Sequence, residues 1–335
     1  MIHEQHPLAP LTTLGVGGPA RRFTRVTSLA ELRDALHTPD RILILGGGSN
    51  LVIGDAGWDG LAIQIGLPGI AIDRDGTVIA AAGESWDELV ARAIDAGLGG
   101  VECMSGIPGL VGATPMQNVG AYGQEVADTI ERVRVLDRHT GELVDFAPHE
   151  CRFAYRTSVF KGSARWIVIE VQLKLARTSD SLPIRYPELA HALAVAEGGR
   201  APLARVRETV IALRRNKGMV LDPLDPESRS AGSFFTNPIV EPSAVERLMS
   251  RLDATVPQWP QPDGRIKLSA GWLIERAGFA KGYTVGRVGI SKKHALALVN
   301  RGDASASELL GLAQEIQDVV RAKLGIELTP EPVIV

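Results

Sequence analysis

From Ser105 to Gly123 the chain reads SGIPGLVGATPMQNVGAYG, with five glycines, two prolines and no charged side chain. Glycine and proline interrupt every turn, so this run suits neither a helix nor a central strand. Bare backbone can instead approach a large anionic group and converge several amide N–H donors on it. A structureless connection this long is uncommon in a compact domain unless it has a function. It reads as a cofactor-binding loop, with a plain connecting loop as the alternative. A second cluster, Gly46-Gly47-Gly48-Ser49-Asn50, directly follows the apolar run RILIL of Arg41–Leu45. Amides at a strand end suit a phosphate; a tight turn without a ligand is the other reading.

Three further stretches carry reactive side chains. In CRFAYRTSVFK, Arg152, Tyr155, Arg156, Ser158 and Lys161 stand among aromatics. An arginine so placed is either a surface ion-pair partner or a guanidinium fixed to grip a carboxylate. Ser233 lies in SAGSFFTNP. Small residues, a hydroxyl, two aromatics and an Asn-Pro turn exceed what a bland strand needs, although a turn serine fits too. No G-x-S-x-G surrounds it, so a hydrolase nucleophile is not indicated. Glu331 stands between Pro330 and Pro332 ahead of Val333-Ile334-Val335. A terminal glutamate is ordinarily solvated, but rigid flanks and burial by that strand would fix it. Arg214, Arg215 and Lys217 end a helical pattern before Gly218, where the helix dipole alone favours cations.

Two tempting motifs fail. GVGGPA at Gly15–Ala20 matches a dinucleotide fingerprint by letter, but follows no apolar strand and leads into a strand pattern. GGGSN lacks the Lys-Ser/Thr of a phosphate-binding P-loop. No metal-ligand spacing or internal repeat appears, and His3 and His6 fall in a frayed terminus without a metal role.

The elements that must position these residues follow in order. Arg21–Val26, Ser28–Leu36 and Arg41–Leu45 read as strand, helix and strand, with Ser28 and Glu31 as a capping box. IAIDRDGTVIAAAG reads as a hairpin around Asp75-Gly76, and Ser85–Ala96 as a capped helix stopped by Gly97. Val133–Leu136 and Leu143–Phe146 form another hairpin, and Trp166–Leu175 a strand. Helices are expected over Val206–Arg215, Pro242–Leu252, Ser269–Ala277 and Ser307–Leu324. The last has an apolar stripe through Leu310, Ala313, Ile316, Val320 and Leu324. Strands with interspersed helices argue an α+β protein. A compositional shift at Arg177–Leu182 suggests a boundary.

The bulk numbers agree with that organisation. At 335 residues the chain is long enough for two or three domains. Its 45% hydrophobic and 22% charged content describes a soluble globular protein. A net charge of −3 gives no footprint for nucleic acid. Cys103 and Cys151 are the only cysteines, which suits a reducing compartment and excludes a disulfide framework. No signal peptide or membrane span is evident, so a cytoplasmic protein is expected.

With these pieces in order, the chain resembles the UDP-N-acetylenolpyruvoylglucosamine reductase family along essentially its whole length. The motifs are TLGVGG, LILGGGSNLV, GIPGLVGATPMQNVGAYG, CRFAYRTSVFKG, SAGSFFTNP, PDGRIKLSAGWLIE and the closing L-T-P-E. The resemblance implies a two-subdomain FAD-binding domain of vanillyl-alcohol-oxidase (PCMH) type, over 1–80 and 81–178. A C-terminal α+β substrate domain over 179–335 completes it. It implies FAD contacts from Gly46, Gly47, Gly48, Ser49, Asn50 and Leu51, and from Ile107, Pro108, Gly109, Gly112, Ala113, Thr114 and Pro115. Gln117, Asn118, Gly120, Ala121, Gly123 and Arg214 complete that set. Arg156, Ser233 and Glu331 match the family's catalytic residues, as carboxylate-facing cation, proton donor and catalytic glutamate. Tyr122, Tyr155, Lys217, Asn237 and Lys267 match substrate contacts, and Tyr186 the tyrosine that closes over the uridine diphosphate in the longer-chain type. Trp259 and His294 are assigned no role.

The implied activity is reduction of the enolpyruvyl ether of UDP-N-acetylglucosamine to UDP-N-acetylmuramate for peptidoglycan, with FAD and NADPH, in a monomeric enzyme. Two other readings remain open at this point: an FAD-dependent sugar or lactone oxidase of the same fold, and a non-catalytic flavin or nucleotide-sugar binder.

Overall fold

Strands Ile42–Leu45 and Pro19–Val26 both pair in parallel with Trp58–Ile65, so that Leu43 and Phe23 flank Ala62. Parallel neighbours need a crossover. Helix α1 (Leu29–Leu36) carries the chain from Pro19–Val26 past the central strand to Ile42–Leu45, its first turn capped by the Ser28 hydroxyl accepting from the Glu31 amide. His3–Pro7 completes this four-stranded sheet at its edge. A second sheet is antiparallel, ordered Leu143–Phe146, Ile130–Asp137, Trp166–Lys174, Thr77–Ala81, Ile70–Ile72. Helix α2 (Trp86–Asp95), capped by Ser85, buries Trp86, Leu89, Val90, Ala93 and Ile94 in one core with Val78, Val133 and Val171 of that sheet.

The computed structural model describes residues 1–252 and 254–335. Their contacts divide the chain into two units. The first comprises Met1–His6, Ala20–Gly48 and Trp58–Asn216, and holds both sheets. Helices α3 (Pro187–Leu193) and α4 (Leu203–Asn216) also belong to it, covering Cys103 and Ile184. Residues 177–182 thus lie inside this unit, which continues to Asn216. Cys103 and Cys151 are buried free thiols. Burial pushes both upward, Cys151 to about 12.

The second unit comprises Pro7–Pro19, Ser49–Gly57 and Lys217–Val335. Its helices are α5 (Pro242–Met249), α6 (Ala270–Ala277) and α7 (Ala306–Leu324). Two three-stranded antiparallel sheets accompany them, one of Ile239–Val240, Ile266–Leu268 and Gln258–Pro260, the other of Thr284–Val285, Val288–Ile290 and Leu298–Asn300. Phe234, Phe235, Leu273, Ile274, Leu309 and Ile316 share one core.

Several sequence expectations are corrected here. Helix α7 starts at Ala306, because Ser305 and Glu308 cap each other reciprocally. Ser307 instead joins the Ala306 and Ser307 amides on the Asp55 carboxylate. Its buried stripe runs through Ala306, Leu309, Ala313, Ile316, Val320 and Leu324, a spacing of three and four that leaves Leu310 half-buried. Helix α5 ends at Met249, short of Leu252, and α4 begins earlier, at Leu203. Val333–Ile334 does form a strand, parallel to Leu51–Val52. Both side chains are exposed (45% and 50%), so burial by that strand is not what fixes Glu331. Among the described residues no helix is long and apolar enough to cross a membrane.

Candidate active site

In the first unit the two glycine clusters come together. A Cβ on Gly47 would lie 2.9 Å from Gly109 Cα, and one on Gly46 3.8 Å from Ala113 Cβ. Glycine at 47 therefore lets the two segments pack backbone against backbone, with Leu110 Cγ 3.5 Å from the same Cβ position. Gly112 is fixed for a different reason, since its Cβ would meet Ala82 Cβ at 2.5 Å. The Val111 and Gly112 amides donate to Glu84 O and Ala82 O, pinning the short 3-10 turn Val111–Ala113.

Buried and half-buried polar side chains anchor this loop and the chain that flanks it. Glu102, fully buried, accepts from the Gly100 amide (2.6 Å), the Leu182 amide (3.3 Å) and Gln124 Nε2 (3.0 Å). Gln124 Oε1 in turn accepts from the Cys103 amide. Asn118, with φ +47°, donates from Nδ2 to Glu125 and accepts from the Ala127 amide. Asp87 on α2 accepts from the Gly106 amide at 2.6 Å and from both ends of the Arg207 guanidinium on α4. Burial works against the Asp87 carboxylate, yet Arg207 and the Gly106 N–H prevail and hold it below the usual range.

The loop closes in a two-residue hairpin, Gly120–Ala121 against Gln124–Glu125, with Tyr122 and Gly123 at φ +49° and +86°. Such a turn needs both central residues left-handed. A tyrosine there is strained, and its ring packs edge-on against Tyr186 at 5.2 Å. Tyr186 caps α3 and stays 42% exposed. Burial raises the Tyr122 hydroxyl to about 12. Arg214, in the last turn of α4, is buried and lowered by desolvation to about 10, a shift that Tyr122 and Asp87 oppose.

Arg156 sits at φ +55°. Its guanidinium donates to the carbonyls of Gly120 (3.0 Å) and Asn118 (3.4 Å) and lies over the Tyr155 ring. Bonds to two carbonyls fix the direction in which a guanidinium can meet an anion. Ser158 ties the segment to the loop through Met116 O at 2.7 Å.

The second unit holds the other candidates. Ser233 precedes Phe234, whose amide donates to Leu296 O at 2.7 Å. The Glu331 amide donates to Phe234 O at 2.9 Å, and Phe235 bridges to Pro330. Asn50 Nδ2 donates to Glu331 O at 3.3 Å. Backbone pairing therefore fixes Glu331 beside the Ser233 segment. Asn237 Oδ1 accepts from the Ala270 amide at the start of α6, so Nδ2 is the end with donors to offer a substrate. Lys267 lies on a strand opposite Trp259, 6.0 Å from its ring centroid.

The expected residues thus fall into two groups. Gly46–Gly48, the loop from Ile107 to Gly123, Tyr155, Arg156, Tyr186 and Arg214 belong to the first unit. Ser49–Leu51, Lys217, Ser233, Asn237, Lys267 and Glu331 belong to the second. The contact of Gly47 with Gly109 brings two glycine-rich loops together, and their backbone amides suit an anionic cofactor such as FAD. Sequence reasoning missed Glu102, Asp87 and Arg207, since single charged letters in helical or loop patterns carry no signal of the distant partners they meet.

Residues 222–335 match the family model for the UDP-N-acetylenolpyruvoylglucosamine reductase C-terminal domain, and residues 20–147 that for an FAD binding domain. The chain is 52% identical to the UDP-N-acetylenolpyruvoylglucosamine reductase of Thermobifida fusca over 343 aligned residues, covering 98% of this chain and 96% of that protein. It is 52% identical to the reductase of the same name from Mycobacterium sp. strain MCS, covering 98% and 94%. Among solved structures, the UDP-N-acetylenolpyruvylglucosamine reductase of Thermus caldophilus matches with a TM-score of 0.70 at 30% identity, covering 100% and 99% of the two chains.

Proposed function

The chain belongs to the UDP-N-acetylenolpyruvoylglucosamine reductase family, and from that premise we propose how its own residues carry the activity. It is an FAD-dependent oxidoreductase of peptidoglycan precursor synthesis. Its substrate is UDP-N-acetyl-3-O-(1-carboxyvinyl)-glucosamine, and it acts as a cytoplasmic monomer. The likeness along nearly the whole chain carries the activity and the substrate. Bound FAD supplies the chemistry of passing a hydride from NADPH to the C3 methylene of the enolpyruvyl group.

The residues of this chain handle what that transfer leaves behind. Once C3 has gained hydride, negative charge builds at C2 and spreads into the carboxylate. Arg156 presents a cation already oriented by two carbonyls, so its stabilisation needs no reorganisation as charge develops. Glu331 supports the enolic form by a hydrogen bond when it carries or shares a proton. Ser233 delivers a proton to C2, giving the lactyl ether. A hydroxyl is a weak acid, and only a partner as basic as a carbanion-like C2 makes this transfer favourable. Gly46–Gly48 and the Ile107–Gly123 loop bind FAD through backbone, with Ser49, Asn50, Leu51 and Arg214 contributing. Tyr122, Tyr155, Tyr186, Lys217, Asn237 and Lys267 bind the nucleotide sugar.

The test is spectroscopic. The purified protein is expected to be yellow, to bleach with NADPH under nitrogen, and to regain colour on adding the enolpyruvyl substrate, with the lactyl ether as product. A protein that regains colour only with oxygen is an oxidase, and a colourless protein that takes up no FAD overturns the reading.

A further inference from the structure

A serine that donates a proton depends on whatever touches its oxygen. Ser233 Oγ lies 3.4 Å from Nε2 of His294, 61 residues further along the chain. Both side chains are half-buried and belong to the second unit. The loop that presents the imidazole is built to hold it. Ser291, fully buried, donates its amide to Ala297 O at 2.8 Å, and its hydroxyl accepts from the Lys293 amide at 3.0 Å. The Ala297 amide donates to His294 O at 3.2 Å. Glu227, only 7% exposed, accepts from the Lys292 amide (2.7 Å) and from Arg301 (3.0 Å), while Arg301 also donates to Ile290 O. From the other side, the Phe234 amide grips Leu296 O. The residue after Ser233 is thereby locked to a residue two beyond His294.

We infer that His294 is the positioning residue of the Ser233 proton donor, with Nε2–H directed at Oγ. This rests on the reading of Ser233 given above. The direction follows from the chemistry. If Nε2 accepted from Ser233, the hydroxyl proton would point into the imidazole and away from any substrate. With Nε2–H donating, that proton stays free to go to C2. As it leaves, the O–H bond breaks and its electron pair stays on Oγ, while the enolate pair forms the C2–H bond. The Nε2–H donor then faces a developing alkoxide, where a hydrogen bond is strongest, and Oγ later regains a proton from water.

The test uses the FAD-loaded enzyme, reduced with NADPH under nitrogen and mixed with the enolpyruvyl substrate in stopped flow. H294L should slow return of the visible band by about 10- to 100-fold, the range of a hydrogen bond to a charged group. H294Q, whose amide also donates, should stay within a few-fold of wild type. H294E, which only accepts when ionised, should be as slow as H294L. Bleaching by NADPH should be unchanged in all three. S233A is measured alongside. If S233A reoxidises at the wild-type rate, the proton-donor reading fails. If S233A is slow but H294L is not, or if H294E matches wild type, the positioning inference alone fails. Nitrogen NMR of histidine-labelled wild-type protein gives a readout independent of turnover and of variant folding. A protonated Nε2 on His294 supports the inference, and an unprotonated one overturns it.

Discussion

The glycine loop of the first unit and the Ser233 segment of the second are held in place with a different balance of backbone and side-chain bonds. Around Ser105–Gly123 the candidate binding surface is backbone, and side chains do much of the holding: buried Glu102, Gln124 and Asn118 accept from the Gly100, Cys103 and Ala127 amides, and half-buried Asp87 accepts from the Gly106 amide. Around Ser233 and Glu331 the working groups are side chains, and backbone does the holding, through Phe234 to Leu296 and Glu331 to Phe234. The difference suits the two proposed tasks. Gripping a flat cofactor through amides requires that no side chain intervene, so the polar anchors must sit behind the loop. Placing one hydroxyl and one carboxylate requires short rigid segments whose main chain cannot drift.

Glycine substitutions sharpen that contrast. Gly112→Ala would set a Cβ 2.5 Å from Ala82 Cβ and 3.0 Å from Ala82 Cα. Overpacking of this kind destabilises by about 1–3 kcal/mol, and thermal unfolding should move down by several degrees. In the second unit, Gly311 lies inside α7 with nothing within 4 Å of its added Cβ. Gly311→Ala should therefore stabilise by about 0.5–1 kcal/mol. Equal effects at the two positions would break the claim that close approach demands glycine in the first unit's loop.

A smaller effect concerns the anchor behind the loop. Asp87 is held below the ordinary carboxylate range, burial being outweighed by Arg207 and the Gly106 amide. A carboxyl with a depressed folded value contributes stability that is complete above the unfolded carboxylate range. That contribution disappears as pH falls through the folded value. Asp87→Asn should lower the melting temperature at neutral pH and leave it nearly unchanged at strongly acidic pH, so the acid limb of a melting-temperature profile flattens. An unchanged acid limb would remove Asp87 from the anchoring role.

The first unit's candidate site stood out in the sequence because composition itself is unusual there: a long uncharged glycine run has few other uses. Caps were legible too, as at Ser28 and Ser85, since a hydroxyl three residues ahead of its amide partner is a local pattern, whereas Ser269, expected inside its helix, caps it instead. The turn at Tyr122-Gly123 was not, because a tyrosine gives no hint of a left-handed backbone, which the surrounding hairpin imposes. At α7 two serines competed for the cap, and Asp55, distant in sequence, took the bonds at Ser307. The contact of Ser233 with His294 spans 61 residues. Ser, His and Glu are common letters, and only tertiary placement distinguishes them.

The division of labour between backbone and side chain is tested most directly by Ser233→Ala in two-step stopped flow under nitrogen. The account predicts that NADPH bleaches the visible band at the wild-type rate. Its return on adding the enolpyruvyl substrate should be slower by about 10²–10⁴-fold, the contribution of a positioned proton donor. Return at the wild-type rate, or an equal slowing of both steps, would contradict it.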